Sequence, residues 1–138
     1  MDKWVVKDNK NIADILVEVY GKNKTELLKN VLQAFTSIIT EIGKVNRLTT
    51  RLIKLEEENI EEMVFGFVDK LIYFKDTQGL IFKDGKFRLK DHCLEVRLFG
   101  QKIDERVPVK IDIKALTYHK FEVKKMKTGY KTILVFDV

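Results

Sequence analysis

The sequence predicts an α+β fold in which two amphipathic helices pack on a mostly antiparallel β-sheet system. Its 138 residues are 45% hydrophobic and 34% charged, a balance typical of a globular chain that buries a core. Helical and strand periods alternate in the first half, whereas only strand periods follow the second helix. Strands that lack crossover helices between them pair antiparallel. We therefore expect residues 1–138 to form one domain of this class.

The first predicted strand covers residues 15–20. Alternate positions along it are apolar and share one face, namely Ile15, Val17 and Val19. Gly21 then ends the strand. Under the same alternation, Asp14 lies at the start of the strand and on the opposite face.

The first predicted helix covers residues 24–42. Asn23 is the expected N-cap, with Glu26 three residues later, and Gly43 is the expected stop. Apolar residues recur at helical spacing and form one wide stripe, which predicts a helix packed in the core. The stripe consists of Leu27, Leu28, Val31, Leu32, Phe35, Ile38, Ile39 and Ile42.

A second strand at 47–56 and a second helix at about 60–75 complete the first half. Asn59 is the expected N-cap of this helix, again with a glutamate, Glu62, three residues later. Its apolar stripe predicts a second element packed in the core. The stripe consists of Ile60, Met63, Val64, Phe67, Leu71 and Phe74.

After Gly79 the pattern predicts strands alone. One begins at 80–82, and Asp84-Gly85 either closes a two-residue hairpin or bends a longer strand into a bulge. The next strand contains the alternating residues of 94–98, and the polar stretch 101–107 is predicted to be a loop. The remaining strands are predicted at about 109–118, 119–126 and 130–137.

Charge and composition exclude several classes of protein. The formal net charge is +5, which invites a nucleic-acid interpretation, but the lysines are spread along the chain and interleaved with glutamate. Cys93 is the single cysteine, so an internal disulfide and a cysteine-based zinc site are excluded. The sequence contains no signal-like apolar leader and no membrane-length apolar run. We expect a cytoplasmic protein with no membrane partner.

Carboxylates near the two ends of the chain form the best candidate site. Asp137 is one residue from the α-carboxylate of Val138, and two carboxylates held on a sheet favour a hard cation when a third oxygen ligand arrives. Asp14 is the candidate third ligand, although a lone aspartate at a strand start is more often a turn or cap residue. All-oxygen ligation favours Ca²⁺, Mg²⁺ or Mn²⁺ over Zn²⁺.

Two further residues carry chemistry in the last third of the chain. Lys114 shares a predicted strand face with Lys110 and Asp112, either as part of a cross-strand ion-pair ladder or as a cation presented to a partner. His119 follows Tyr118 at a strand junction, where a structural histidine hydrogen-bonded to backbone is the alternative to a functional one. The sequence contains no glycine-rich phosphate loop, nucleophile elbow or zinc-protease helix motif.

Four segments of the chain resemble the archease family. The first is Ala13-Asp14 with the following strand, where the family reads His-Thr-Ala-Asp, and the second is the helix from Thr25 to Ile42. The third is the run 76–82, Asp-Thr-Gln-Gly-Leu-Ile-Phe, in which Gln78 replaces the family's glutamate. The fourth and most specific is the run 114–119, Lys-Ala-Leu-Thr-Tyr-His, together with the terminal Phe-Asp-Val of 136–138.

The resemblance implies a non-enzymatic helper of an RtcB-type RNA ligase in tRNA splicing. That ligase uses GTP and divalent metal and attaches GMP to one of its own histidines, and the family speeds this step and supports repeated turnover. The resemblance places a divalent metal, calcium above all in a crystal, at Asp14, Asp137 and the carboxylate of Val138. It also places Lys114 on the family's functional surface, and we assign His119 to the same partner-facing surface.

Besides Gln78, the chain departs from the family's pattern at one further place, and two alternative functions remain open. Asn11 and Ile12 stand where the family has His-Thr, so the metal affinity can differ. The first alternative is a basic RNA-binding or chaperone-like module, although clustered basic residues interleaved with exposed aromatics are not seen in the sequence; under the favoured interpretation tRNA is contacted indirectly or weakly. The second is a small metal-dependent hydrolase that uses the same carboxylates. The periodicity indicates no oligomeric state.

Overall fold

The computed structural model describes residues 3–7, 14–118 and 121–138. The predicted α+β class is confirmed: the described residues form two helices and eight strands in two antiparallel sheets. The helices are α1 (Lys24–Ile39) and α2 (Ile60–Gln78). The strands are β1 (Trp4–Lys7), β2 (Asp14–Gly21), β3 (Thr49–Glu56), β4 (Leu80–Lys90), β5 (Cys93–Lys102), β6 (Ala115–Leu116), β7 (Val123–Met126) and β8 (Gly129–Asp137).

The five-stranded sheet is built around β8. One edge of β8 pairs with β2, which pairs in turn with β1, and the other edge pairs with β6 and β7. The inner face of the central pair is apolar and buried, through Val17, Val19, Leu134 and Phe136. The outer face carries the alternate residues, among them Asp14 and Asp137, as period-two alternation requires.

Helix α1 has the predicted beginning and a different end. The Asn23 side chain accepts a hydrogen bond from the backbone N–H of Glu26 at 2.8 Å, so the predicted cap is confirmed. The helix ends at Ile39 rather than 42, because Thr40 is extended and the chain then forms a 3-10 turn over Ile42–Lys44. The carbonyl of Ile39 is satisfied by the N–H of Lys110 at 2.7 Å, a contact that local periodicity does not contain.

Helix α2 is capped as predicted and runs three residues longer. The Asn59 side chain accepts from the N–H of Glu62 at 2.9 Å. At the other end Gly79 adopts the left-handed conformation with φ of 63°, and its N–H meets the carbonyls of Phe74 and Lys75. Glycine takes this conformation without steric cost, so the helix continues to Gln78 before it stops.

The three-stranded sheet has the order β3-β5-β4. Its strand pairing decides whether Asp84-Gly85 closes a hairpin or bends a longer strand into a bulge. Strand β4 is continuous, and its register against β5 shifts between Phe82 and Asp84, so the bulge is the correct alternative. The hydroxyl of Thr36 on α1 donates to the carbonyl of Phe82 at 2.7 Å. Strand β5 extends to Lys102, two residues into the predicted loop.

The predicted strand at 109–118 is wrong except at Ala115–Leu116. The polar groups of this segment have partners outside any ladder: Lys110 pairs with Glu41 at 3.0 Å and Asp112 with Lys75 at 2.6 Å. The predicted face shared by Lys110, Asp112 and Lys114 therefore does not exist. The strand predicted at 119–126 is reduced to β7, and its first two residues lie outside the described part of the chain.

The helices lie between the two sheets. Helix α1 contacts β2 of the larger sheet and β4 of the smaller one, and α2 contacts β3, β4 and β6. The buried apolar residues of both sheets and both helices form one cluster, so the ends of β2 and β8 are fixed by a shared core. Across the described residues, no helix is long and apolar enough to cross a membrane.

Candidate metal centre

Asp14 and Asp137 face each other directly across two neighbouring strands. Asp14 is the first residue of β2 and Asp137 is the last residue of β8, and the two are register partners. Directly opposed residues of an antiparallel pair have Cβ atoms about 4.5–5.5 Å apart. Both side chains are partly buried. The structure thus brings together the two predicted carboxylates from opposite ends of the chain.

The core holds this register in place. Next to the two carboxylates, Ile15 pairs with Phe136, and further along Val17 pairs with Leu134. Phe136, Val17 and Leu134 are fully buried. A slip of one residue would turn these side chains to solvent and bring polar residues into the core. The opposed carboxylates are therefore enforced by apolar packing on the other face of the same strands.

The pair carries negative charge that the described residues do not neutralise. Among those residues, neither Asp14 nor Asp137 has an ion-pair partner. Like charges directly opposite each other destabilise a sheet. Two opposed carboxylates without a basic partner fit a divalent cation with oxygen ligands.

The backbone of the run 114–116 closes the other side of β8. Ala115 is the register partner of Asp137 on β6, and the N–H of Lys114 donates to the carbonyl of Asp137 at 2.8 Å. Lys114 is exposed, and Val138 follows Asp137 as a partly buried residue. Asp14, Asp137, Val138 and the backbone of Lys114 therefore meet at one end of the sheet, where β2 begins and β8 ends.

Ligands beyond the two aspartate side chains have to come from other kinds of group. Within residues 3–7, 14–118 and 121–138, no group of three His, Cys, Asp or Glu side chains is arranged to hold a metal ion. His119 lies outside the described residues, as do Asn11 and Ile12. The assignment of His119 to the partner-facing surface therefore stays a prediction.

A buried lysine fixes the segment that leads to Lys114. The ammonium of Lys75, at the end of α2, is 4% exposed and contacts Asp76 at 2.5 Å and Asp112 at 2.6 Å. Burial by itself lowers the pKa of Lys75, but the hydrogen bonds to Asp112 and Asp76 outweigh it and the pKa is raised. Lys75 therefore stays charged and ties the chain before β6 to α2. Sequence patterns offered no signal for this contact.

Comparison with known proteins agrees with this architecture. Residues 8–138 match the model of the "Archease protein family (MTH1598/TM1083)". The chain is 28% identical over 134 residues to "Protein archease" of Pyrococcus abyssi, covering 94% of this chain and 93% of that protein. It is 30% identical over 129 residues to "Protein archease" of Archaeoglobus fulgidus, covering 91% and 93%.

Two solved structures have a similar fold. The solution structure of protein 1598 of Methanobacterium thermoautotrophicum matches with a TM-score of 0.81 and 22% identity over the whole of both chains. The crystal structure of an archease described as a possible chaperone, TM1083 of Thermotoga maritima, matches with a TM-score of 0.67 and 21% identity over 96% of each. At these identities the likeness shows the fold.

Proposed function

The chain belongs to the archease family, and from that membership we propose that it is a non-enzymatic activator of an RtcB-type RNA ligase in tRNA splicing. The observation that supports this function best is the direct opposition of Asp14 and Asp137 at one end of the five-stranded sheet. The protein would act in the cytoplasm on the ligase itself, and tRNA would be affected through the ligase.

The proposed metal ligands are the side chains of Asp14 and Asp137 and the main-chain carboxylate of Val138. Three carboxylates suit Ca²⁺, with Mg²⁺ or Mn²⁺ as alternatives, because hard cations prefer oxygen ligands. A divalent cation held there supplies positive charge close to phosphate oxygens. The contribution of this chain would be geometric. The buried core enforces the register of β2 and β8, and this register holds two carboxylates close enough to share one ion before any partner binds.

The surroundings of the pair fit a docking role at the mouth of a GTP-dependent active site. The side chain of Lys114 is exposed while its N–H holds the end of β8. An exposed ammonium at this end of the sheet would attract a triphosphate and orient it relative to the ligase. Binding in this way would favour the ligase conformation that accepts GMP on its histidine, since a partner shifts an equilibrium by its differential affinity for two states.

The test is RNA ligation by a cognate RtcB-type enzyme with substrate in excess. We expect the protein to convert a reaction that stalls after about one turnover into repeated turnover, and Asp14→Ala to abolish this stimulation while the variant remains folded. Glu105→Gln is the matched control, because Glu105 is an exposed acid in the turn after β5. Full stimulation by Asp14→Ala would refute the role of the carboxylate pair, and no stimulation by the unchanged protein would refute the function.

A further inference from the structure

A cleft bordered by lysines lies at the end of the five-stranded sheet opposite the carboxylates. It has a volume of about 350 Å³ and lies between the β2–α1 junction and the turn that joins β7 to β8. Its lining includes two lysines, Lys3 and Lys22, and one acid, Glu26, together with the larger side chains of Tyr20, Met126 and Tyr130. We call this group, with the neighbouring lysines of the β7–β8 hairpin, the basic cleft.

Strand register gathers the lysines of the hairpin beside the cleft. Lys124 is the partner of Lys131 and Lys125 is the partner of Tyr130 across β7 and β8. Lys131 is in turn the partner of Tyr20 on β2. The hairpin lysines thus lie at the same end of the sheet as Tyr20, a neighbourhood that no local pattern in the sequence indicates.

Close backbone contact fixes the floor of the cleft. Gly129 has φ of 138°, and a Cβ built on it would lie 2.2 Å from the carbonyl oxygen of Gly21. The turn of the hairpin therefore packs directly on the end of β2. Neither position tolerates a side chain, so the lysines and tyrosines around the cleft keep a defined spacing.

The positive charge of the basic cleft is compensated only in part, by Glu26 in its lining and by Glu122 beside the hairpin. Within the described part of the chain, Lys22, Lys125 and Lys127 have no ion-pair partner, and the nearest acid of Lys124 is Glu122 at 3.5 Å. Lys124 and Lys131 are like charges placed directly opposite each other, which costs stability. A bound polyanion would remove that repulsion.

Aromatic and apolar surface accompanies these cations. Tyr20 and Tyr130 line the cleft, and Met126 is 42% exposed beside them. Lysines that follow a phosphate backbone, combined with aromatic rings on which bases stack, are the features that bind single-stranded nucleic acid. The volume of the cleft is within the range of about 300–1,000 Å³ found for small-ligand pockets, which suits one or two nucleotides.

We infer that the basic cleft binds single-stranded nucleic acid, with phosphates on Lys22, Lys125 and Lys127 and a base against Tyr20 or Tyr130. The cleft is separate from the carboxylate pair. Asp14 and Tyr20 stand at opposite ends of β2, about 20 Å apart at roughly 3.3 Å per residue. The inference does not depend on the proposed function, and both ends of the sheet can be engaged at once.

The first test is fluorescence anisotropy of a labelled 12-nucleotide uridine RNA, measured with EDTA and without ligase. Lys22→Gln/Lys125→Gln/Lys127→Gln is compared with Lys54→Gln/Lys86→Gln/Lys90→Gln, which removes three exposed lysines from the three-stranded sheet. Both variants lower the formal net charge by the same amount. Thermal unfolding verifies that each variant is folded.

We expect the cleft variant to bind about 10-fold or more weakly at 50 mM salt, and the control variant less than about 3-fold. The slope of log affinity against log salt should fall by about 2 for the cleft variant, since each phosphate contact contributes about 0.7 for single strands. Equal losses in the two variants would overturn the inference. So would failure of the unchanged protein to bind RNA at 50 mM salt.

A second test isolates base stacking. Tyr20→Leu should weaken binding about 5-fold or more while the salt slope stays constant, because stacking is worth about 1–3 kcal/mol per base. A duplex of the same length should compete poorly, since its bases are already stacked. Unchanged affinity of Tyr20→Leu, or tighter binding of the duplex, would contradict the stacking role.

Discussion

Asp14 and Asp137 are two like charges that the register of β2 and β8 places directly opposite each other. Such a pair costs about 0.2–1 kcal/mol in a sheet unless a cation lies between the carboxylates. Their positions are set by strand pairing and by Phe136 and Leu134 on the buried face, and within the described residues neither aspartate side chain has an ion-pair partner that fixes it. The folded chain therefore maintains an unfavourable pair that a divalent cation would relieve.

This pair predicts opposite effects of one substitution with and without metal. In EDTA, Asp137→Asn should raise the free energy of unfolding by about 0.2–1 kcal/mol, because the repulsion is removed. With Ca²⁺ at about 100 times its Kd, the free energy of unfolding of the unchanged protein should rise by about 2.7 kcal/mol, and that of the variant by far less. Denaturant titrations with and without Ca²⁺ measure both effects.

The control for this prediction is Glu105→Gln, which should respond to Ca²⁺ as the unchanged protein does. If Ca²⁺ stabilises Asp137→Asn as much as the unchanged protein, the cation binds elsewhere. Replacing Ca²⁺ with Mg²⁺ and Mn²⁺ in the same titration ranks the three ions.

Among the elements, the segment between β5 and β6 is held in part by a buried lysine. Lys75→Met keeps the aliphatic stem but removes the contacts to Asp76 and Asp112. Hydrogen bonds to charged groups are worth about 1.5–3 kcal/mol, and the half-exposed carboxylates reduce that value. We therefore expect the free energy of unfolding to fall by about 1–3 kcal/mol. Lys70→Met, on the exposed side of α2, should change the free energy of unfolding by less than about 0.5 kcal/mol.

The pH dependence of this loss has a defined sign. The pKa of Lys75 is raised above its usual value of 10.5, so its contribution to stability is complete below that value and disappears as pH rises through the folded-state pKa. The difference between the unchanged protein and Lys75→Met should be constant between about pH 7 and 9 and shrink above pH 10.5. A difference that shrinks already at neutral pH would show that another group is responsible.

Close packing at the bulge in β4 predicts that alanine substitutions at two glycines differ strongly in their effect on stability. A Cβ on Gly100 would lie 2.0 Å from the carbonyl oxygen of Ile81, whereas one on Gly43 would meet nothing within 4 Å. We expect Gly100→Ala to cost more than about 2 kcal/mol and Gly43→Ala to be close to neutral. Equal melting temperatures of the two variants would contradict the close approach of β4 and β5.

Local rules predicted the elements whose structure is determined locally. Both helices and both N-caps follow from apolar spacing and from Asn23 and Asn59, because caps and stripes depend on residues close in sequence. The strand predicted at 109–118 failed because Lys110 and Asp112 bind Glu41 and Lys75, which are distant in sequence. No pattern within the segment contains that information.

At the scale of the whole molecule, the two ends of one sheet carry opposite charge. The resemblance named Asp14 and Asp137, but their contact exists because β2 and β8 pair in one register. No sequence pattern predicted the basic cleft, because Lys3, Lys22 and the β7–β8 hairpin that carries the other lysines are far apart in sequence. Spacing along the chain reports clusters within an element, while these two clusters arise from strand pairing.

The most direct test of the proposed activation is the initial rate at which a cognate RtcB-type ligase is labelled by radioactive GTP. The unchanged protein and Glu105→Gln should raise this rate equally, and Asp14→Asn and Asp137→Asn should leave it near the rate of the ligase alone, since each replaces a charged carboxylate ligand with a neutral amide. Stimulation by both aspartate variants at the level of the unchanged protein would contradict activation through the carboxylate pair.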